Sequence, residues 1–200
     1  MPPIWDERYA ADQYFYGTLP NDFLAEHAGC IAPGGAVLSL GEGEGRNAAF
    51  LAARGYRVLA LDQSPVGLDK ARRLATSRGV TIDTLAADLG DYRIAPGGWD
   101  GIVSIWCHLP SALRRRVYAD VAAGLRPGGV VLVESYTPDQ LRFGTGGPKD
   151  VDLMPTLAQL RTELPGLLFE HAVETVREVH EGAGHGGQSA VLQVVARRPR

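Results

Sequence analysis

The stretch AVLSLGEGEGRN, residues 36–47, decides the fold, because a short apolar run passes directly into three glycines at alternate positions. The run predicts a strand that is buried on both faces. A helix over residues 46–54 follows, and Gly55 ends it because glycine accepts the left-handed conformation there at little cost. Residues 57–61 predict a second strand with Asp62 at its carboxyl end. These elements form a βαβ unit of the kind that binds adenosine-containing cofactors.

The glycine turn and the acid suit different parts of such a ligand. Glycines let the backbone approach the ligand, and the free N–H groups at a helix start attract an anionic group. Asp62, roughly 20 positions after the turn, is placed to accept hydrogen bonds from ribose hydroxyls. A dinucleotide site needs a third glycine where Arg46 stands, so this spacing disfavours an NAD-dependent dehydrogenase.

The string LGEGEGRN, residues 40–47, resembles the first motif of the class I S-adenosylmethionine-dependent methyltransferases. In that family the glycine turn passes the methionine part of the cofactor, and the acid that ends the second strand holds the ribose. The resemblance therefore implies S-adenosylmethionine as the cofactor. The residues that it assigns to cofactor binding are Gly41, Glu42, Gly43, Gly45, Arg46, Asn47, Asp62 and Gln63.

Two further segments are similar to the same family. Residues 80–86 predict a third strand, and in the family the residues after this strand meet the adenine. Residues 125–129 form a leucine–basic–Pro-Gly-Gly turn, which leads into a predicted strand over residues 130–134. The residues implied to contact the adenine are Ala87, Asp88 and Leu89.

The apolar run within residues 99–110 predicts a central strand. Asp100, which precedes that strand, and the residues after it resemble the fourth motif of the family. The carboxyl end of this strand presents Trp106, Cys107 and His108 to the pocket expected at the switch point of an open sheet. We assign Trp106 to the cofactor site and Cys107 to an apolar wall. His108 is a general base, a substrate contact or a helix-entry residue.

The end of the chain predicts two strands, over residues 168–179 and 189–196. A terminal antiparallel hairpin added to a parallel sheet is the class I methyltransferase topology. We therefore expect an α/β fold with a Rossmann-like, doubly wound sheet of seven strands, mostly parallel with a C-terminal antiparallel hairpin. Residues 1–200 are expected to form a single domain, in which residues 31–200 are the core and residues 1–30 an aromatic lid segment.

Two helices are predicted in the second half of the chain. Ser111 is the expected N-cap of the first helix. The run Arg114-Arg115-Arg116 is expected to form a solvated face, with a partner surface as the alternative. The second helix is expected over residues 153–164.

The lid segment contains several aromatic side chains, namely Trp5, Tyr9, Tyr14, Phe15 and Tyr16. Such a segment either closes a dry site or anchors the chain to the core. The strings WDERY (residues 5–9) and YGT (residues 16–18) are similar to the opening of small bacterial methyltransferases that resemble tellurite-resistance protein B and the thiopurine methyltransferases. In those relatives this segment covers the cofactor, which implies roles in the closed site for Arg8, Tyr14 and Tyr16.

Two loops supply further candidates. The glycine-rich loop over residues 135–148 is either a substrate-binding loop, in which Arg142 adds a permanent charge, or a flexible connector. The loop over residues 180–187 carries His185, which is a substrate contact, a base or a simple loop residue. The histidine spacing in this loop is not that of a helical zinc site, so no metal is expected. The predicted catalytic set is His108, His185, Tyr16 and Arg142.

Composition excludes several classes of protein. A net charge of −3 and a pI near 5.9 argue against a nucleic-acid partner. Two cysteines do not make a disulfide framework, and no segment has the pattern of a signal peptide or a membrane span. We expect a cytoplasmic protein without membrane contact, as a monomer or homodimer.

These patterns predict a methyltransferase that acts by in-line displacement on a small-molecule acceptor. The resemblance to the tellurite-resistance group implies a thiol or a chalcogen nucleophile such as tellurite or selenite. A base is needed only if the acceptor arrives protonated. The alternatives are a non-catalytic sensor of S-adenosylmethionine or a nucleotide and, less favoured, the NAD-dependent dehydrogenase.

Overall fold

The computed structural model describes residues 4–200, in which one seven-stranded sheet has the order β3-β2-β1-β4-β5-β7-β6. The strands are β1 (Ala36–Leu40), β2 (Arg57–Asp62), β3 (Asp83–Ala86), β4 (Trp99–Ile105), β5 (Leu125–Tyr136), β6 (Leu168–Glu181) and β7 (His185–Arg197). The helices are α1 (Ile4–Tyr9), α2 (Asp22–His27), α3 (Arg46–Ala53), α4 (Pro65–Ser77), α5 (Ser111–Gly124) and α6 (Leu157–Glu163). The first three residues of the predicted lid segment lie outside the described residues.

Strand pairing confirms the predicted topology. The strands β3, β2, β1, β4 and β5 pair in parallel, and β7 is antiparallel to both β5 and β6. Since β6 consequently runs parallel to β5, the turn between β6 and β7 emerges at the carboxyl edge of the parallel strands. That edge is where an open α/β sheet binds its ligands.

Helices cover both faces of the sheet, as a doubly wound fold requires. On one face Leu38 and Ile102 pack with Val121 of α5. On the other face Val37 packs with Leu24 of α2 and with the helices α3 and α4. Alternate residues of β1 therefore enter opposite cores, which explains why its sequence is apolar throughout rather than alternating.

Local hydrogen bonds set where the helices begin. Ser64 accepts from Gly67 N at 3.0 Å, with Pro65 in the first turn of α4. Asn21 accepts from Leu24 N at 2.9 Å and starts α2. Thr156 and Gln159 form a capping box at the start of α6.

Several predicted boundaries were wrong. The third strand begins at Asp83, three residues later than expected. The helix predicted over residues 153–164 is α6 preceded by a short 3₁₀ turn, Val151–Leu153, because Pro155 separates the two. Pro110 rather than Ser111 holds the N-cap position of α5, and no side chain caps that helix. The hairpin strands are longer than predicted, so His185 lies in β7 rather than in a loop.

The arginine run of α5 is not a solvated face. Only Arg115 is exposed, whereas Arg114 is 2% exposed and Arg116 is half-buried. The Arg114 guanidinium donates to both oxygens of Glu163 in α6, at 2.9 and 3.1 Å. This buried pair joins α5 to α6 and explains why the side chain faces inward.

None of the helices within residues 4–200 is both long enough and apolar enough to cross a lipid bilayer.

Candidate active site

A cavity opens at the carboxyl edge of the parallel strands. Its walls come from the ends of β1, β2, β3 and β4, and Trp5, Tyr9 and Tyr16 of the N-terminal segment (residues 4–20) line it from the other side. Most residues predicted for the site meet here. Those lining the cavity are Gly41, Glu42, Arg46, Asn47, Asp62, Gln63, Ala87, Asp88, Leu89, Trp106, Tyr16, His108 and His185.

The three glycines of the turn have different roles. Gly41 lines the cavity with a φ of +60°, and a Cβ there would lie 2.9 Å from the Cys107 sulfur. Gly43 and Gly45 do not line the cavity. Instead, a Cβ on Gly43 would meet the Tyr9 hydroxyl and one on Gly45 would meet Ala71. These two glycines therefore permit close packing of the turn rather than direct contact with a ligand.

Asp62 ends β2 and supports the turn with both oxygens. Its carboxylate accepts from Gly43 N and Ser64 N, each at 2.8 Å. A carboxylate has about four acceptor positions, so two remain for a ligand. Burial raises the pKa of Asp62 above its ordinary value, against the effect of these backbone donors.

Glu42 is a second buried acid in the cavity wall. One oxygen accepts from Asn47 N at 3.1 Å and Ala48 N at 2.9 Å, which caps the start of α3, and the other accepts from the Ser39 hydroxyl. Burial raises the pKa of Glu42 to about 7, although these hydrogen bonds act in the opposite direction.

Glu181, at the end of β6, organises the far side of the cavity. One oxygen accepts from Arg46 and from the Trp106 indole N–H at 2.6 Å each, and lies 3.2 Å from His185 Nδ1. The other oxygen accepts from Asn21 at 2.8 Å. Burial alone would raise the pKa of Glu181, but the hydrogen bond with His185 and the charge of Arg46 lower it to about 2. Glu181 is therefore a carboxylate that holds three cavity-lining side chains in place.

The two candidate histidines have different surroundings. His185 is 5% exposed, and its Nδ1 faces the Glu181 carboxylate. His108 has no comparable partner: its Nδ1 is 3.4 Å from the Ser135 hydroxyl, and its Nε2 is buried without a hydrogen bond among the described residues. Burial and the nearby His185 lower the pKa of His108 to about 3. His108 is consequently uncharged near neutral pH.

Cys107 has the properties of a wall residue. Burial and then the charge of Asp62 raise the pKa of the Cys107 thiol to about 12. A thiol needs to ionise before it acts as a nucleophile. The prediction of an apolar wall at Cys107 therefore agrees with its surroundings.

A buried ion pair holds the N-terminal segment against the glycine turn. Lys70 of α4 lies 2.5 Å from the Glu44 carboxylate and donates to the carbonyls of Ala11 and Gln13 at 2.7 Å each. The other Glu44 oxygen accepts from Phe15 N at 2.7 Å. The segment also contacts the hairpin, where Ala183 N donates to Phe15 O at 2.8 Å.

Besides Gly43 and Gly45, three predicted site residues lie outside the cavity wall. The Tyr14 hydroxyl donates to Lys70 O at 3.1 Å, and Arg8 is exposed and donates to the Tyr16 hydroxyl at 3.0 Å. Arg142 is 77% exposed and pairs with Asp139 in a 3₁₀ turn, Pro138–Arg142. Tyr14 and Arg8 support the segment, whereas Arg142 has no place in the site and we withdraw it.

Sequence reasoning missed several residues that build the site, namely Ser39, Glu44, Lys70 and Glu181. Two of them carried a weak signal. Glu44 is a charged residue inside an otherwise tight turn, and Lys70 is one of only two lysines in the chain. Glu44 and Lys70 pair with each other although they are distant in the sequence. Glu181 likewise pairs with Arg46, which is 135 positions away. Local spacing does not reveal such pairs.

The cavity fits the cofactor that the sequence predicted. S-adenosylmethionine carries a ribose, an adenine and two positive groups, and the wall offers Asp62 with free acceptor positions and the acids Glu42 and Asp88. The turn at Gly41 has no side chain that would fill the space.

Comparison with known proteins agrees with this site. Residues 37–129 match the family model described as a methyltransferase domain. The match covers just under half of the chain, and together with the sheet order it agrees with the predicted resemblance to class I S-adenosylmethionine-dependent methyltransferases. It gives no support to the dehydrogenase alternative.

Individual relatives place the chain more closely. The ribosomal protein L11 methyltransferase of Symbiobacterium thermophilum is 32% identical over 130 residues, which are 64% of this chain and 41% of that relative. The chain thus spans less than half the length of this curated relative.

Two solved structures share the fold over almost the whole chain. One is described as the conversion of a disulfide bond into a thioacetal group during echinomycin biosynthesis, and it has a TM-score of 0.78 at 23% identity, covering 98% of this chain and 91% of that one. The other is TehB from Haemophilus influenzae, with a TM-score of 0.73 at 20% identity, covering 97% of this chain and 65% of that one. These likenesses show the fold.

Proposed function

We propose that this protein transfers the methyl group of S-adenosylmethionine to a small-molecule acceptor that carries a thiol. The observation that carries the proposal is the composition of the cavity wall. One part of the wall has acidic groups that follow β1, β2 and β3, and another part is lined by Tyr16, Trp106, His108 and His185. The N-terminal segment lies over this cavity, and that arrangement favours a small acceptor over a protein chain.

When bound, S-adenosylmethionine supplies an activated methyl group on a sulfonium leaving group. Asp62 would accept from the ribose hydroxyls, the backbone at Gly41 would hold the methionine part, and Asp88 and Leu89 would hold the adenine. The rings of Tyr16 and Trp106 exclude water. Holding an acceptor at the methyl group in this enclosure can supply about 7–11 kcal/mol of the barrier reduction.

His185 is the proposed proton acceptor. Glu181 faces Nδ1 at 3.2 Å and so fixes the tautomer that leaves Nε2 free to take a proton from the acceptor. His108 is a poor base because its pKa is about 3, and its unpartnered Nε2 is instead a hydrogen-bonding contact for the acceptor.

A thiol fits the acceptor end better than an oxyanion does. Among the described residues that line the cavity, Arg46 is the only arginine. Its guanidinium already forms an ion pair with the Glu181 carboxylate at 2.6 Å. An oxyanion such as tellurite would therefore lack a free cation, whereas sulfur makes favourable contacts with the rings of Trp106 and Tyr16. The structure described for echinomycin biosynthesis concerns sulfur chemistry in its own protein, which is consistent with this class of acceptor.

The test is turnover of S-adenosylmethionine to S-adenosylhomocysteine over aliphatic and aromatic thiols, amines, tellurite and selenite. Mass spectrometry of the acceptor identifies the methylated atom. We expect S-methyl products from at least one thiol class. Turnover with oxyanions or amines only would overturn the thiol assignment, and cofactor binding without turnover on any acceptor would favour the sensor.

The base assignment predicts a specific pH profile for His185→Asn. Loss of a general base costs about 100-fold or more in kcat below the pKa of the acceptor thiol. Above that pKa the acceptor is already a thiolate, so the variant should recover most of its activity. His180→Asn is the matched control, because His180 lies on the same hairpin with its side chain 81% exposed. An equal loss at every pH would argue against His185 as the base.

A further inference from the structure

Glu42 is a buried acid in the cavity wall to which the proposed methyl transfer assigns no chemical step. It is 8% exposed, and its donors are the Ser39 hydroxyl and two backbone N–H groups at the start of α3. All three donors are uncharged. The carboxyl group therefore faces the cavity with hydrogen bonds but without a countercharge.

The groups around Glu42 compensate its charge only in part, through the charge of Arg46. The titratable groups that line the same cavity are Tyr9 of the N-terminal segment, Arg46 of α3, Asp62 of β2, Asp88 after β3, Cys107 and His108 after β4, and His185 of β7. The Arg46 guanidinium is directed to Glu181 at 2.6 Å and to Leu19 O at 3.4 Å. Asp62 adds a second acid to the same wall. Within residues 4–200, no basic side chain forms an ion pair with Glu42.

We propose that Glu42 is a proton-coupled sensor of the charge on the methyl donor. In the free protein near neutral pH a fraction of the molecules carries the carboxyl O–H bond; when the cationic donor enters the cavity, this bond breaks and the proton leaves to solvent. When methyl transfer has converted the sulfonium to an uncharged thioether, Glu42 takes a proton up again from solvent. The inference rests on the proposed function only in that the methyl donor occupies this cavity.

The consequence is a difference in how tightly the cavity holds donor and product. An ionised Glu42 attracts the sulfonium and gains nothing from the neutral sulfur of S-adenosylhomocysteine. Reprotonation after transfer removes a buried, unpaired charge from the wall and leaves the product without that attraction. Product release is thereby favoured over retention, and the preference for the donor increases as the pH rises through about 7.

Titration calorimetry in two buffers of different ionisation enthalpy measures this proton directly. Wild type and Glu42→Gln are titrated at pH 7 with S-adenosylmethionine and with S-adenosylhomocysteine. We expect wild type to release about half a proton more per bound donor than E42Q, because an acid with a pKa near 7 is half protonated there. With S-adenosylhomocysteine the two proteins should not differ. Titration of the ligand's own amine is common to both proteins and cancels in the comparison.

Two further variants sharpen the measurement. Ser39→Ala removes a hydrogen bond that lowers the Glu42 pKa. A larger fraction of the free variant is therefore protonated at Glu42, and the variant should release more protons per bound donor than wild type. Glu26→Gln makes the same chemical change at an exposed position of α2 and should match wild type. S39A keeps the test decisive if E42Q does not fold.

The outcomes separate this inference from the proposed function. Donor binding with equal proton release in wild type and E42Q, or in wild type and S39A, would overturn the role of Glu42 and leave the methyltransferase proposal intact. Failure of wild type to bind S-adenosylmethionine at all would contradict both.

Discussion

Asp62 shows at the scale of one residue how a side chain serves the fold and a ligand together. Each of its two oxygens accepts a hydrogen bond from one backbone N–H, of Gly43 or of Ser64. These bonds fix the position of the glycine turn relative to the start of α4. The same carboxylate lines the cavity. Any ligand that bonds to Asp62 is therefore positioned against two structural elements at once.

Replacement of Asp62 should weaken cofactor binding by one to two orders of magnitude. Hydrogen bonds to a charged group contribute about 1.5–3 kcal/mol, which Asp62→Ala removes. Calorimetry with S-adenosylmethionine measures the change, and Asp62→Asn, which keeps one acceptor oxygen, should show a smaller loss. Unchanged affinity in a folded D62A protein would refute the assignment of Asp62 to the ribose.

Residues of the glycine turn could be predicted because their spacing alone fixes their backbone. Gly41, Glu42 and Asp62 all line the cavity for that reason. Glu181 could not be predicted, because its role depends on Arg46 and Asn21, which are distant in sequence. Arg142 was predicted wrongly for a related reason, since a loop sequence does not show which way its side chains face.

At the scale of elements, the N-terminal segment depends on one buried ion pair. Lys70 and Glu44 are both buried and together contact the backbone of residues 11–16. Charge is rarely buried without a partner, because desolvating an ion costs several kcal/mol. The pair therefore gives this segment a defined position over the cavity.

Loss of Lys70 should release the N-terminal segment. In Lys70→Met the carbonyls of Ala11 and Gln13 lose their donor, and Glu44 is left buried without its cation, at a cost of about 3–5 kcal/mol. Hydrogen exchange should show faster exchange in residues 14–17, with weaker binding of S-adenosylmethionine. Arg73→Ala, at an exposed position of the same helix, is the control. Unchanged exchange in K70M would show that the pair does not hold the segment.

Elements with continuous apolar runs were predicted well, and those without such runs were not. The buried strand β1 has the predicted bounds because its sequence is a nearly continuous apolar run. The apolar run of β4 was also predicted as a strand, but the strand begins at Trp99, before Asp100 rather than after it. Strand β6 lies at the sheet edge with mostly exposed residues, so its length could not be read from hydrophobicity. Helix α5 was misjudged because a buried arginine has the same sequence pattern as an exposed one.

For the whole molecule, opposing titrations set the dependence of stability on pH. His108 has its pKa lowered from 6.5 to about 3, so the unfolded chain binds this proton first and stability falls as the pH drops below 6.5. Glu42 has its pKa raised from 4.5 to about 7, so the folded chain binds that proton first and stability rises over the same interval. The two effects cancel between pH 6.5 and 4.5. Below 4.5 Glu181, with its lowered pKa, also contributes to acid unfolding.

Single substitutions should expose each contribution. Between pH 6.5 and 4.5, His108→Gln should gain stability relative to wild type on acidification, by up to about 1.4 kcal/mol per pH unit for one proton. Glu42→Gln should lose stability by a similar amount over that interval. Urea unfolding at pH 4.5, 5.5 and 6.5 measures both, with His180→Gln as the exposed control. Parallel pH dependence in wild type and both variants would contradict these assignments.

The most direct test of the central claim is a crystal structure of the protein soaked with S-adenosylhomocysteine. The account predicts electron density for the nucleoside in the cavity, with its ribose on Asp62 and its amino-acid part beside the turn at Gly41. Ligand density at another place on the protein, or a cavity still empty at saturating ligand, would contradict it.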